Sequence, residues 1–409
     1  MIAQAVIGAN YGDEGKGVIT DYLVNKSQTL CVVRFNGGAQ AGHTVKTPDG
    51  KEHVFRHFSS GSFSGAWTFL SKYFVINPML YFKEINEISR VLPNVPRLLV
   101  DPRAYVTTPW DIMVNQAREE AAGKSRLGSC GVGHRDTVDR NEYSEERFGF
   151  NIHDVILEFP IQGIHRLSDK LEFIRTEWVP ERLEEYKVPY TKELREIVMS
   201  DEIMKRYLED LQVLASNITL VDTCDITAYG NIIFEGSQGL GLDQDRGTVP
   251  HTTRSNTGVK NILDICKEAE IEAVEVYYTT RAYLTRHGPG PMESEFPDPT
   301  WMPKGWEDAS NLTNEFQGKM RYGFLDVDEL ARRIKDDLRV GAFHATKIFP
   351  KLAITCLDQL EAKTELFVDG LLVKVDKEEV ASFIAHEVGI CQILESYGPT
   401  RGTVREVIV

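Results

Sequence analysis

Residues 3–17 have the sequence AQAVIGANYGDEGKG, in which an apolar run is followed by closely spaced glycines and a lysine. The apolar run, residues 3–9, predicts a buried β-strand, and residues 16–25 predict a helix. Closely spaced glycines let backbone N–H groups approach phosphate oxygens, and Lys16 adds a positive charge beside the positive end of the helix dipole. The segment therefore predicts a strand, a phosphate-binding loop and a helix.

The loop departs from the standard P-loop, whose pattern is G-x-x-x-x-G-K-[ST]. Asn10 stands in place of the first glycine, and Gly17 replaces the hydroxyl residue that would bind Mg²⁺. Asp13 lies inside the loop instead. A carboxylate beside phosphates is unfavourable unless it binds a metal ion or moves a proton, so Asp13 is a candidate for both roles. The alternative is a structural turn that carries a surface acid.

A second glycine-rich segment, NGGAQAGHT at residues 36–44, follows a strand predicted at residues 30–35. It contains His43, a side chain able to act as an acid. A single histidine is more often structural than catalytic. The flanking glycines favour the catalytic interpretation here.

Short β-branched runs alternate with amphipathic segments along the chain. Further strands are predicted at residues 97–101, 231–235, 273–279 and 352–357, and helices around residues 81–92 and 327–338. This alternation predicts an α/β fold with a largely parallel central sheet and helices on both faces.

The chain shows no internal repeat and no low-complexity linker, so residues 1–409 are predicted to form a single domain. Residues 160–215 are rich in Glu, Lys and Leu and predict a helical excursion on the surface. Residues 286–318 are rich in proline and predict a long loop, and loops of this length are often functional. This substrate loop is taken to run to about residue 323.

The composition limits the function classes. The chain has 46 Lys and Arg against 61 Asp and Glu, a formal charge of -15, which argues against a nucleic-acid or membrane-surface binder but still allows an anionic small ligand. There is no apolar run of about 18 to 20 residues and no secretion signal is predicted. Six scattered cysteines without a C-x-x-C pair predict a reducing cytoplasm, and no structural zinc site is expected.

The two glycine-rich segments resemble the signatures of the adenylosuccinate synthetase family. The G-D-E-G-K-G signature is intact at residues 12–17, and N-A-G-H-T is present at residues 40–44 with Gln40 for the usual Asn. Similar segments follow in the family's order at residues 77–78, 115–119, 128–133, 234–239 and 243–257. The resemblance implies the P-loop-like fold of that family, a homodimer, and a ligase that joins aspartate to a purine nucleotide.

The resemblance also implies roles for the two loops. Asp13 would remove the N1 proton of the purine and bind Mg²⁺, with the Gly42 carbonyl as a second metal ligand. His43 would donate to a phosphate oxygen, and Lys16 would neutralise the γ-phosphate of GTP. The remaining residues implied to hold GTP are Gly12, Glu14, Gly15, Gly17 and Thr44.

The acceptor nucleotide and aspartate are implied to contact residues farther along the chain. An arginine, Arg135 or Arg140, is implied to cross from the partner subunit to the acceptor phosphate, and the spacing does not choose between them. In the loop expected to hold aspartate, His287 stands where the family usually has Val, and Lys319 replaces an arginine. The implied substrate residues are Gln40, Ser129, Arg140, Gln238, Thr253, Arg286, Lys319 and Arg321, with Gln238 also counted as catalytic.

Two segments compete for the family's T-K-L-D motif, in which the aspartate pairs with guanine. Residues 346–349, TKIF, lack the carboxylate and would imply ATP. Residues 355–358, TCLD, keep it and close an apolar strand. We prefer the second, so Asp358 is expected to select GTP, while the turn at Gly398 and Pro399 closes over the same base.

Three functions remain open from the sequence. The first is a GTP- and Mg²⁺-dependent aspartate ligase acting on IMP. The second has GMP or dGMP as the acceptor, as in viral relatives that make 2-aminoadenylosuccinate nucleotides and would work in the host cytoplasm. Gln40 and His287 favour it, whereas those relatives often have serine in place of Asp13. The third is a non-catalytic GTP-binding sensor, which would be expected to lose Asp13 or His43.

Overall fold

The computed structural model describes residues 1–123, 126–158, 164–292, 294–298 and 318–409. A ten-stranded sheet forms its centre. Its strands are, in spatial order, β16 (Val404–Ile408), β15 (Gln392–Ser396), β12 (Lys347–Thr355), β9 (Ala273–Arg281), β1 (Ile2–Gly8), β8 (Ile232–Glu235), β2 (Cys31–Arg34), β5 (Trp67–Leu70), β6 (Leu98–Val100) and β7 (Ile218–Leu220).

All neighbouring strands of this sheet are parallel except the pair β15 and β16. The prediction of a largely parallel α/β sheet is therefore confirmed. Strands such as β2 and β8 are buried along their whole length, which explains why each is apolar except at its last residue. β1 lies at the middle, with β8 on one side and β9 on the other. Loops that leave the carboxyl ends of these strands meet at one edge of the sheet.

Helices pack on both faces of the sheet. Ala3, Ala5 and Ile7 of β1 belong to one apolar cluster, whereas Val6 packs in another against Ile19. The helices that carry these clusters are α1 (Lys16–Ser27) on the second face and α11 (Val259–Glu268), α12 (Val327–Val340) and α13 (Val380–Val388) on the first. The predicted placement of helices on both faces is confirmed.

A third apolar cluster lies under the helical part of the chain. Residues 160–215, predicted to be a surface excursion, contribute Leu171, Trp178 and Leu211 to this buried cluster. The helical part of the chain therefore has an apolar core of its own. The helices around it are α2 (Pro78–Ile88), α3 (Pro109–Ala122), α4 (His134–Tyr143), α5 (Glu145–Phe148), α6 (Ile152–Glu158), α7 (Ile164–Phe173), α8 (Val179–Glu185), α9 (Lys192–Val198) and α10 (Asp201–Asn217), with a π-helical turn at Ile174–Trp178.

Two smaller sheets complete the described part of the chain. One contains β10 (Tyr283–Arg286), β11 (Arg321–Asp326), β13 (Lys363–Val368) and β14 (Leu371–Asp376). The other is the hairpin of β3 (His43–Lys46) and β4 (Glu52–Phe55). Arg286 pairs with Arg321 across β10 and β11, so both ends of the loop predicted at residues 286–323 are strands. Much of its proline-rich middle, residues 299–317, lies outside the described residues.

The strand predicted at residues 352–357 differs in both bounds. β12 begins at Lys347, because residues 347–355 pair continuously with β9, and it ends at Thr355 before a 3₁₀ turn at Leu357–Gln359. Among the described residues, none of the helices combines the length and the apolar character that crossing a membrane requires.

Candidate active site

A cavity of about 1050 Å³ lies at the carboxyl edge of the sheet, where the loops after β1, β2, β8 and β12 meet. Most of the residues predicted from the sequence line it together. They are Gly12, Asp13, Glu14, Gly15, Lys16, Gly17, Gln40, Gly42, His43, Thr44, Ser129, Gln238, Thr253, Arg286, Asp358, Gly398 and Pro399.

Side chains from β9, β10 and β12 hold the carbonyl groups of the phosphate loop. Thr285 Oγ1 donates to the Gly12 carbonyl at 3.1 Å, and Arg281 Nε donates to the Asp13 carbonyl at 2.6 Å. Thr355 Oγ1 donates to the Glu14 carbonyl at 2.9 Å. Because a trans peptide directs its N–H opposite its C=O, the N–H groups that follow these carbonyls point away from the strands and are available to a phosphate.

The departure at Gly17 has a steric cause. A Cβ at this position would lie 2.9 Å from the Thr44 carbonyl oxygen, since α1 packs closely against β3. The hydroxyl residue of a standard P-loop does not fit there. Asp13 takes a left-handed backbone conformation, with φ at 58°, and its side chain is 30% exposed at the cavity.

Glu14 is buried beneath the loop beside Lys16. Its carboxylate accepts a hydrogen bond from the Asn10 N–H and lies 3.7 Å from Lys16 Nζ. Burial raises the pKa of Glu14 to about 7, although Lys16 and the Asn10 hydrogen bond oppose this effect. A Cβ on Gly8 would lie 2.1 Å from Glu14 Oε2, so the end of β1 must be glycine to admit the carboxylate.

His43 forms a buried pair with Glu235, at 2.7 Å from Nδ1 to Oε1. Glu235 also accepts from the Ser60 N–H at 3.1 Å and from the Ser60 hydroxyl, and Arg34 Nε lies at 4.0 Å. Burial alone would raise the pKa of Glu235, but His43, Arg34 and Ser60 reverse the effect and lower it to about 2. Burial lowers the pKa of His43. The ionised Glu235 assigns the proton of the neutral ring to Nδ1.

The ring nitrogen on the other side, His43 Nε2, is buried and has no hydrogen-bond partner among the described residues. A buried polar atom of this kind calls for a ligand. Glu235 was not predicted to act at the site. Its signal in the sequence is a charged residue that ends the otherwise apolar strand β8, and Arg34 ends β2 in the same way.

Oxygen donors of the cavity are suited to Mg²⁺. The Asp13 carboxylate contacts His287, with 3.4 Å between Oδ2 and Nε2. Within the described ranges no group of three metal-binding side chains occurs. Mg²⁺ commonly binds one or two carboxylates and completes its octahedral shell with waters and substrate phosphates. Asp13 and the Gly42 carbonyl fit such a site only together with a bound nucleotide.

Buried amide groups lie on the side of the cavity predicted to hold the acceptor. Gln40 Nε2 and Gln238 Oε1 have no hydrogen-bond partner within the described part of the chain. Ser129 Oγ accepts from Asn115 at 2.9 Å. Unpaired buried amides are costly, so these groups are suited to bind a polar ligand such as a purine nucleotide.

The prediction that Arg140 contacts substrate is wrong. Arg140 is 0% exposed, and its guanidinium donates to Asp111 at 2.8 Å and to the Val106 and Phe148 carbonyl groups at 2.9 and 2.6 Å. All three of its guanidinium nitrogens donate inside its own subunit. Arg135, the alternative, lines the cavity and donates to the Thr252 carbonyl at 2.8 Å.

Only one of the three basic residues predicted to hold aspartate lines the cavity. Arg286 lines the cavity, donates to the Pro291 carbonyl at 2.7 Å, and lies 4.3 Å from the centre of the Tyr11 ring. Lys319 and Arg321 are not part of the described cavity lining. Arg321 lies in β11, where its guanidinium pairs with Glu295.

The two candidate guanine motifs lie at opposite ends of β12. Thr346 precedes the strand and donates to the Ile271 carbonyl. At roughly 3.3 Å per residue along the strand, Thr346 lies about 30 Å from Thr355. Asp358 lines the cavity, and its carboxylate forms no described hydrogen bond or ion pair, while Lys377 donates to its backbone carbonyl at 3.1 Å. Position in the fold therefore favours the segment containing Asp358.

The sequence is similar to known proteins over nearly its whole length. A family model described as adenylosuccinate synthetase matches residues 5–387. The adenylosuccinate synthetase of Clostridium botulinum (strain Eklund 17B / Type B) is 30% identical over 378 residues, which cover 90% of this chain and 80% of that protein. The enzyme of Clostridium beijerinckii is 32% identical over 375 residues, covering 88% and 78%.

Two solved structures share the fold. Fully ligated adenylosuccinate synthetase from Plasmodium falciparum superposes with a TM-score of 0.71 at 18% identity, covering 99% of both chains. The succinoaminodeoxyadenylate synthetase (PurZ) of cyanophage S-2L, bound to dGMP and to dATP as an energy donor, gives 0.59 at 17% identity, covering 100% of this chain and 96% of that one. By the match of its sequence across nearly its whole length, the chain belongs to the adenylosuccinate synthetase family.

Proposed function

We propose that this protein is a GTP-dependent ligase that joins L-aspartate to C6 of IMP through a 6-phosphoryl intermediate. The observation that carries the proposal is the single cavity that brings Asp13, Lys16 and the pair of His43 and Glu235 together. A proton acceptor, a phosphate-binding loop and a proton donor are the groups that this reaction needs. The names of the bacterial relatives support the same activity.

In the first stage the 6-oxygen of the acceptor attacks the γ-phosphorus of GTP. Asp13 takes the N1 proton, which makes the 6-oxygen nucleophilic, and the bond from the γ-phosphorus to the bridging oxygen breaks to release GDP. Lys16 and the loop N–H groups stabilise the charge on the transferred phosphoryl group. Asp13 and the Gly42 carbonyl would hold Mg²⁺ together with the nucleotide, and the ion would supply further charge neutralisation.

His43 acts beside the transferred group. A phosphate anion at its free Nε2 favours the protonated ring, because Glu235 already stabilises positive charge at Nδ1. The protonated ring then donates a hydrogen bond to the phosphate oxygen where negative charge develops. In the second stage the amine of aspartate attacks C6 and gives up one proton to water, the C6–O bond breaks, and phosphate leaves with the electron pair.

The donor is proposed to be GTP rather than ATP. Guanine presents a ring N–H and an amino group side by side, and a carboxylate accepts from both. Asp358 offers such a carboxylate at the cavity, beside the turn at Gly398 and Pro399. We also propose a cytoplasmic homodimer, as the family resemblance and the scattered reduced cysteines suggest.

The second candidate acceptor is dGMP or GMP. Gln40 and His287 replace the residues usual in IMP-using members, and both line the cavity. The cyanophage neighbour was solved with dGMP. Against this acceptor stands Asp13, which this chain retains. A sensor without catalysis is disfavoured, because Asp13 and His43 both face the cavity.

The test is an assay of the purified protein with GTP and Mg²⁺. GTP consumption is followed with IMP, GMP or dGMP in turn, each with and without aspartate. We expect aspartate-dependent turnover with IMP and formation of one GDP and one phosphate per product. Faster turnover with dGMP would favour the second acceptor. If none of the three nucleotides gave turnover with aspartate, the proposed ligase activity would be contradicted.

A further inference from the structure

Arg56 lies on the cavity wall directly after β4 and has no assigned role. Two buried charges fix its backbone. Its N–H donates to the Glu84 carboxylate at 2.7 Å, and its carbonyl accepts from Arg34 Nη1 at 2.9 Å. Glu84 and Arg34 are 1% and 0% exposed. The backbone of Arg56 is therefore held in place by two buried side chains, whereas Arg56 is only partly buried.

The guanidinium of Arg56 differs from the other arginines of the cavity. Within the described part of the chain it forms no hydrogen bond and no ion pair. Every other arginine that lines the cavity donates to a protein group. These are Arg118, Arg135, Arg254, Arg281 and Arg286.

Two loops flank this guanidinium. A Cβ on Gly42 would lie 3.4 Å from Arg56 Nη1, so the group packs against the loop that carries Gln40 and Gly42. Its positive charge also acts on Cys130, although burial dominates there and raises the pKa of the thiol to about 12. Cys130 Sγ in turn lies 4.0 Å from the Gln40 carbonyl oxygen. Arg56 thus lies where the Gln40 loop and the Ser129–Cys130 loop meet.

We propose that Arg56 binds the 5′-phosphate of the acceptor nucleotide and supplies its positive charge from the same subunit. The inference rests on the proposed function, which gives the acceptor a monophosphate. A phosphate carries nearly two negative charges and is well matched by the two-pronged donor of a guanidinium. Of Arg135 and Arg140, the two arginines that the resemblance implied for this role from a partner subunit, Arg140 is buried and all three of its guanidinium nitrogens donate inside its own subunit.

The experiment compares binding of monophosphates with binding of the nucleosides that lack the phosphate. Calorimetry is run with IMP and inosine, and with dGMP and deoxyguanosine, on the full chain and on Arg56→Ala and Arg56→Lys. Arg90→Ala is the control, because Arg90 is an exposed arginine outside the cavity lining. Thermal midpoints of all variants check that the fold is kept.

We expect Arg56→Ala to lower the affinity for the monophosphates by about tenfold to hundredfold and to leave nucleoside binding unchanged. Arg56→Lys should retain part of the affinity, and Arg90→Ala all of it. In the coupled assay the KM of the acceptor should rise, while the KM of GTP stays within about twofold.

An equal loss for nucleoside and monophosphate would overturn the inference, because it would show a structural effect. A rise confined to the KM of aspartate would overturn it too, since Arg56 would then bind a carboxylate. If neither monophosphate binds the wild-type protein, the inference is also overturned. If monophosphates bind through Arg56 but no aspartate-dependent turnover occurs, the inference stands and the proposed function fails.

Discussion

Asp13 is the side chain on which the proposed chemistry depends most directly. We expect Asp13→Ala to lower kcat by about 10²- to 10⁴-fold, the usual contribution of a general base. Its side chain is 30% exposed and contacts only His287 in the described structure, so the thermal midpoint should change little. Steady-state assays and differential scanning calorimetry measure the two quantities. Asp49→Ala, at an exposed turn, is the control. Near-normal activity would refute the role of Asp13 as base.

Glu14 makes stability depend on pH in an unusual direction. Its folded-state pKa is about 7, above the ordinary 4.5, so the folded protein binds this proton more tightly than the unfolded chain. The contribution to stability is therefore complete below about pH 4.5 and is lost as the pH rises through 7, by about 3 kcal/mol at most. Glu14→Gln should flatten this part of the pH profile. Urea unfolding of both proteins from pH 4.5 to 8 measures it, and equal slopes would contradict the assignment.

Asp358 is the residue proposed to select guanine as the base of the nucleotide that donates the phosphoryl group. Replacement by Asn removes an acceptor and presents an amino group to the guanine N–H groups. We expect Asp358→Asn to reduce the preference for GTP over ATP, measured as the ratio of kcat/KM values, by about tenfold to hundredfold. The KM of aspartate should not change. An unaltered ratio would place the guanine site elsewhere.

At the scale of elements, Arg140 joins α4 to α3 and to the strand-end segment at Val106. Its guanidinium pairs with Asp111, which also caps α3 through Thr108. Arg140→Ala should lower the free energy of unfolding by about 3 to 5 kcal/mol, because it leaves the Asp111 carboxylate buried without its partner. Urea unfolding measures the loss, with Arg206→Ala as control, because the Arg206 side chain on α10 is exposed. A loss below about 1 kcal/mol would contradict this role.

The phosphate loop shows how elements constrain one another. Its carbonyl groups are held by side chains at the ends of β9, β10 and β12, which lie about 270 to 340 positions later in the chain. Local glycine spacing is enough to predict a loop between strand and helix. It is not enough to predict which way the loop faces, because Arg281, Thr285 and Thr355 set that direction from other strands.

For the whole molecule, the central position of β1 determines where the ligands meet. The formal charge of -15 repels polyanions in general, yet the described lining of the cavity contains six arginines and two lysines against four carboxylates. Parallel strands place all their carboxyl ends at one edge, and those ends carry the polar residues. An acidic chain thereby presents a locally positive site to nucleotides.

The glycine pattern, the alternation of strands and helices, and the family signatures were sufficient to predict the parallel sheet and a set of site residues, most of which line the cavity. These features depend on local backbone conformation and periodicity, which neighbouring residues determine. The partners of buried charges depend on packing between distant segments. Only the tertiary structure paired His43 with Glu235, enclosed Arg140 and left the guanidinium of Arg56 unpaired, because each outcome is decided by which segments, far apart in the chain, pack together.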